Sequence, residues 1–91
     1  MLEKDIERKV CQYAKSKGVE AYKFSSPARA AVPDRLMVPD GPAFFIEFKK
    51  TGEKPTPAQT REIERLRAKN KVVIVIDNVE DGKCLIDVMV M

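Results

Sequence analysis

The chain has 91 residues, room for one small domain over 1–91 and not for two. Hydrophobic residues make up 44% and charged residues 34%, a balance that excludes intrinsic disorder, and no apolar run approaches the roughly 18 residues of a membrane span. The net charge of +3 permits a nucleic-acid partner without demanding one, and the absence of His excludes His-based acid–base catalysis, Ser–His triads and His-containing zinc sites.

Residues 3–17 read as a helix. Leu2, Ile6, Val10, Tyr13 and Ala14 recur at helical spacing and would face a core, and Gly18 is the natural stop. Residues 19–24 alternate apolar and polar, the pattern of a short strand. Residues 25–32 are small, polar and Pro-containing, a loop. A second strand over 34–38 ends in the turn Pro39-Asp40-Gly41-Pro42, and the mostly apolar 43–49 makes a third, central strand. After a loop with Gly52 and Pro55, Thr56 sits as an N-cap with Pro57 at the first helical position. The helix it opens covers 57–70, with Gln59, Ile63 and Leu66 on one face. The β-branched run 72–76 is typical of a strand buried on both faces. Residues 79–91 stay open: Gly82 favours a turn, and 84–91 suits a strand or a short packed helix. The strand–helix–strand unit implies parallel pairing and the closely linked strands before it antiparallel pairing. The sum is an α/β domain with a mixed β-sheet flanked by helices.

Chemistry concentrates in Asp34, Glu47, Lys49 and Gln59. Glu47 and Lys49 are two apart on the third strand and share a face. Asp34 opens the adjacent strand and can sit beside Glu47. Two convergent carboxylates make an oxygen-rich site for Mg²⁺, which can activate a water and polarise a phosphoryl oxygen. Lys49 is then placed to stabilise charge developing on a phosphate or to orient the attacking water. Taken alone, the same pattern also describes a turn Asp and a solvent-facing ion pair. Glu47, however, lies within Phe44-Phe45-Ile46-Glu47-Phe48, a costly place for a carboxylate without a task.

Pro33-Asp34, Glu47-Phe48-Lys49 and Gln59 resemble the PD-(D/E)xK nuclease signature. Lys23-Phe24-Ser25-Ser26-Pro27, Val32-Pro33-Asp34-Arg35, Phe45-Ile46-Glu47-Phe48-Lys49 and Pro57-x-Gln59 together resemble stand-alone VRR-NUC domains, from the first helix to the strand at 72–76. The resemblance implies a restriction-endonuclease-like fold and metal-dependent DNA cleavage with Mg²⁺ or Mn²⁺. It makes Asp34 and Glu47 metal ligands, Lys49 the catalytic lysine, and the Phe48 carbonyl a further ligand. Gln59 would reach back from the second helix towards the site. A first-helix glutamate is also implied; Glu7 is preferred for its spacing to Gly18, with Glu3 the alternative. The small family members are similar to archaeal Holliday junction resolvases, which implies a homodimer acting on branched DNA.

Positive charge gathers around these residues: between Lys49 and Lys71 there are eight Lys or Arg against three Glu. Lys50 and Lys54 flank the motif, and Lys23, Ser25, Ser26 and Arg29 precede the Asp34 strand. All six are candidates for contacts to DNA phosphates. The apolar tail 85–91 is a candidate dimer surface, or an ordinary edge strand or packed helix. Cys11 and Cys84 form no metal-ligand spacing and read as reduced, buried thiols of a cytoplasmic protein. The rival readings are a DNA-binding module that kept the fold without catalysis, and a nuclease for flaps or single strands.

Overall fold

The computed structural model describes all of residues 1–91. The elements follow the order α1 (Glu3–Ser16), β1 (Glu20–Lys23), β2 (Arg35–Val38), β3 (Phe44–Phe48), α2 (Pro57–Arg67), β4 (Val73–Ile76) and α3 (Val79–Met89). The four strands form one sheet in the order β1-β2-β3-β4. β1–β2 and β2–β3 are antiparallel, and β3–β4, joined through α2, is parallel. This is the expected mixed sheet, with β3 inside it.

Side-chain alternation divides β3 between two layers. Phe44, Ile46 and Phe48 are fully buried together with Ile6, Val10 and Ala14 of α1 and Ile86 of α3. That is the main core, and it puts α1 and α3 on one face. Phe45 and Glu47 take the other face, aligned with Val73 and Val75 of β4. Ile63 of α2 and Val73 are buried outside the main core, so α2 covers this second face at the β4 side. No helix is long and apolar enough to cross a membrane.

Several local expectations change. Cys84, on the outer side of the last helix, is exposed and Cys11 is only partly buried. Leu2 is 60% exposed because it is the N-cap of α1 rather than part of its buried stripe. β4 is an edge strand, so Ile74 and Val75 between buried Val73 and Ile76 are only half-buried. The tail is helical, and Gly82 lies inside it rather than in a turn. Asn78 caps α3 by accepting from the Asp81 N–H at 2.7 Å, and Gly82 is buried against α1. A Cβ there would collide with Val10, so the glycine permits the close approach of two helices. Gly18 does stop α1, with φ +80°. α2 stops three residues early, in a turn whose Asn70 takes φ 62°.

Candidate active site

The register of β2 on β3 pairs Arg35 with Ile46, which sets Asp34 opposite Glu47. Directly opposed residues share a face, so Asp34, Glu47 and Lys49 converge on the α2 side. Asp34 also extends the ladder with its side chain: the Phe48 N–H donates to Asp34 Oδ2 at 2.8 Å. Burial holds the Asp34 carboxyl above its ordinary range, against the lowering effect of that hydrogen bond.

Glu47 is 1% exposed, and neither of its carboxylate oxygens has a hydrogen-bond partner. Lys49 Nζ stands 3.6 Å from Glu47 Oε2 and 3.9 Å from Glu53 Oε1. Burial first, then the Asp34 charge, push the Glu47 carboxyl up to about 7, with Lys49 opposing. A buried carboxylate with two unpartnered oxygens is expensive. It lacks a cationic or hydrogen-bonding partner that Lys49, above hydrogen-bond distance, does not fully supply.

The N-terminal turn of α1 closes this end of the sheet. Thr51, just beyond Lys49, donates its N–H to the Met1 carbonyl at 3.3 Å and its hydroxyl to the Asp77 carbonyl at 3.0 Å. The two first-helix acids meet different partners. Glu7 Oε2 accepts from Arg35 Nε at 2.6 Å, and Arg35 also donates to the Ala21 carbonyl at 3.0 Å. The Glu3 carboxyl, raised by burial and by Asp34, lies in the fields of Lys49 and Glu53 as well. No three acidic side chains converge on a single point. The carboxylates that could hold an ion are Asp34 and Glu47, with backbone oxygen, water or substrate to complete a shell. One or two carboxylates plus waters is how Mg²⁺ is usually held, so the residues present fit such an ion.

Gln59 has a different task, one that its spacing of three from the Thr56 N-cap already allowed. Its Oε1 accepts from the Thr56 N–H at 3.0 Å while its own N–H donates to Thr56 Oγ1 at 3.2 Å, a reciprocal capping box at the start of α2. The side chain therefore serves the helix terminus instead of reaching for the carboxylates. Lys23 ends β1 opposite Arg35, and its charge is felt at Asp34. Ser25 and Ser26 follow in the loop. Arg29 reaches across to Glu62 of α2 at 3.5 Å. Lys50 is exposed and 3.9 Å from Glu53 Oε2, and the Lys54 charge acts on Asp77. Arg35 and Glu62 were not anticipated. Arg35 was legible in principle, since alternation sends it to the face opposite Asp34 and towards α1.

No family model matches the chain. A curated protein of Acyrthosiphon pisum secondary endosymbiont phage 1, named "Putative nuclease p44", is 48% identical over 77 residues, which span 84% of this chain and 83% of that protein. A solved structure described as a VRR_NUC domain superposes with a TM-score of 0.84 at 30% identity, covering 93% of this chain and 94% of its own. A second, described as a VRR_NUC domain protein, shares the fold with a TM-score of 0.74 at 20% identity, covering 96% of this chain and 86% of its own. Sequence likeness at this level, with the same sheet and helices, places the chain in the VRR-NUC family of nucleases.

Proposed function

We propose that the chain is a divalent-metal-dependent DNA endonuclease, using Mg²⁺ or Mn²⁺, that cuts branched DNA such as four-way junctions as a homodimer. The observation that carries the metal-dependent reading is Glu47: a buried carboxylate, both oxygens unpartnered, set beside Asp34 and an ammonium. Asp34 and Glu47 would hold the ion, with the Phe48 carbonyl as a further ligand. When bound, the ion supplies a polarised phosphoryl oxygen and a water of lowered pKa. Asp34 is held in place by the Phe48 N–H, so its free oxygen is aimed before any substrate arrives. Lys49 is almost fully buried with its ammonium 3.6 Å from Glu47, where it would orient the attacking water and offset charge on the phosphate.

On the first helix, Glu3 would supply the acid, its carboxyl coupled to Asp34 and Lys49, because Glu7 is paired with Arg35. Lys23, Ser25, Ser26, Arg29, Lys50 and Lys54 would serve as phosphate contacts. The homodimer reading draws support from α3, where Val88 is 63% exposed at the end of an amphipathic helix. The phage relative fits a cytoplasmic site of action in a bacterial or phage-infected cell.

The test is cleavage of a labelled four-way junction beside linear duplex, flap and single strand, with Mg²⁺, Mn²⁺ or EDTA, for wild type and Lys49→Ala. Metal-dependent cutting strongest on the junction, and lost in Lys49→Ala, is the expected result. A different substrate ranking would replace the junction by the flap or single strand. Binding without cutting under every metal condition would leave a non-catalytic DNA-binding module.

A further inference from the structure

Glu62 is the second nearly buried carboxylate on the α2 side of the molecule, only 7% exposed on an otherwise polar helix. It is fully partnered. Arg65, one turn on, approaches it with two nitrogens, Nε to Oε1 at 3.2 Å and Nη2 to Oε2 at 3.4 Å. Arg29, from the β1–β2 loop, brings Nη1 to Oε1 at 3.5 Å. The two arginine side chains remain about half exposed, at 51% for Arg29 and 47% for Arg65. Exposed Arg61 joins them around an open hollow of about 400 Å³ that includes Ala30 and Ala58.

We propose that Glu62 is a positioning residue that holds Arg29 and Arg65 as a guanidinium pair binding a DNA backbone phosphate beside the carboxylate site. The inference rests on the nuclease reading above. Arg29 and Arg65 against one carboxylate leave one positive charge, the match for a phosphodiester, and Arg61 at the rim adds to it. Tethering the loop to α2 requires only Arg29. Arg65 comes from the same helix as Glu62 and adds nothing to that tether, yet Glu62 fixes it too. Each guanidinium carries five N–H donors in a rigid fork, so those not spent on Glu62 stay available in a preset direction. Two long side chains ordered in advance lose less freedom when a phosphate binds. The hollow also adjoins the site along the chain. The Arg29 loop runs from Phe24, whose ring stacks on Phe45 at 5.2 Å, to Asp34, and α2 follows the loop after Lys49.

Glu62→Gln separates this account from simple charge. The variant gains one positive charge, which on electrostatics alone tightens DNA binding. Positioning predicts the opposite: KM rises roughly 3- to 10-fold with kcat within about twofold, as lost ground-state binding of one charge-assisted contact would give. Affinity for a labelled duplex, measured in EDTA, falls by the same factor. Arg29→Ala/Arg65→Ala weakens binding and flattens the log Kd against log salt slope by about 1 to 2. In that background Glu62→Gln weakens binding no further. Melting curves guard against misfolding, and if Glu62→Gln unfolds, Glu62→Asp carries the same test, because it keeps the charge, draws the carboxylate back from both arginines, and so weakens binding only if positioning matters. Unchanged or tighter binding by Glu62→Gln, or an unaltered salt slope in the double arginine variant, overturns the proposal. A wild type that cuts no DNA overturns the nuclease reading instead, while the EDTA binding series still decides the role of Glu62.

Discussion

Replacing Glu47 by Gln keeps the shape of the side chain and removes the charge that the fold holds at a cost. The carboxyl rises from its ordinary 4.5 to about 7 in the folded protein. A raised value means that the ionised form weakens the folded state: the contribution is fully present below about 4.5 and is lost as pH rises through 7. At 1.36 kcal/mol per pH unit, the metal-free protein loses about 1 kcal/mol to this group at pH 5 and about 3 kcal/mol at pH 8. The amide has its own burial cost, but that cost does not change with pH. Glu47→Gln should therefore gain roughly 2 to 2.5 kcal/mol on the wild type between pH 5 and pH 8. In a domain of this size that is a relative shift in Tm of roughly 10–20 °C. The assay is urea or thermal unfolding of both proteins in EDTA at the two pH values. Mg²⁺ at 100 times its Kd should then return about 2.7 kcal/mol to the wild type at pH 8 and nothing to the variant. A stability gap that is the same at both pH values refutes the reasoning, because it means that Glu47 is not destabilised by its own charge.

Gly82→Ala should destabilise by about 1–2 kcal/mol, since the overpacking against Val10 outweighs the better helix propensity of Ala; thermal melts check this, and Val10→Ala in the same chain should restore part of the loss. Thr56→Ala removes one half of the capping box and should cost about 1 kcal/mol in denaturant unfolding, with no change in metal affinity. Glu7→Gln breaks the part-buried pair with Arg35 and should cost roughly 1–3 kcal/mol. Glu3→Gln should leave stability within about 0.5 kcal/mol and weaken divalent-cation binding in calorimetric titrations. The reverse pattern between these two variants would return the first-helix role to Glu7.

The placement of Asp34, Glu47 and Lys49 on one face was legible because strand alternation is strict and the turn at 39–42 sets the register. The apolar setting of Glu47 announced its burial as well. The helical tail was not legible, because the reason for Gly82 lies in Val10, remote in sequence and across a helix–helix contact. β4 showed a general truth about β-branched runs: composition indicates that helices lie over a strand, but not whether it has one neighbour or two. Gln59 shares a helix face with Ile63 and Leu66, which suggested an inward reach, but its spacing from Thr56 also spells a capping box, and the cap is what formed. Glu62 went unmarked because on a helix it looks like a solvated polar residue, and only Arg65 and the Arg29 loop over it give it partners. The choice between Glu3 and Glu7 depended on which acid Arg35 would claim, and the first helix by itself carries no trace of that.

The bond from the Phe48 N–H to Asp34 also guards against an error of assembly. If β2 slipped by one residue along β3, every β2 side chain would change face. Arg35 would then stand over Glu47, and opposite charges would make that wrong pairing attractive, sealing the buried carboxylate with a guanidinium and leaving no seat for a metal. Two contacts on opposite faces of the sheet resist the slip. Asp34 claims the Phe48 N–H on one side, and Glu7 claims Arg35 on the other. Neither can form in the slipped arrangement, so the pair acts as a proofreading lock on the one strand alignment in which this site exists.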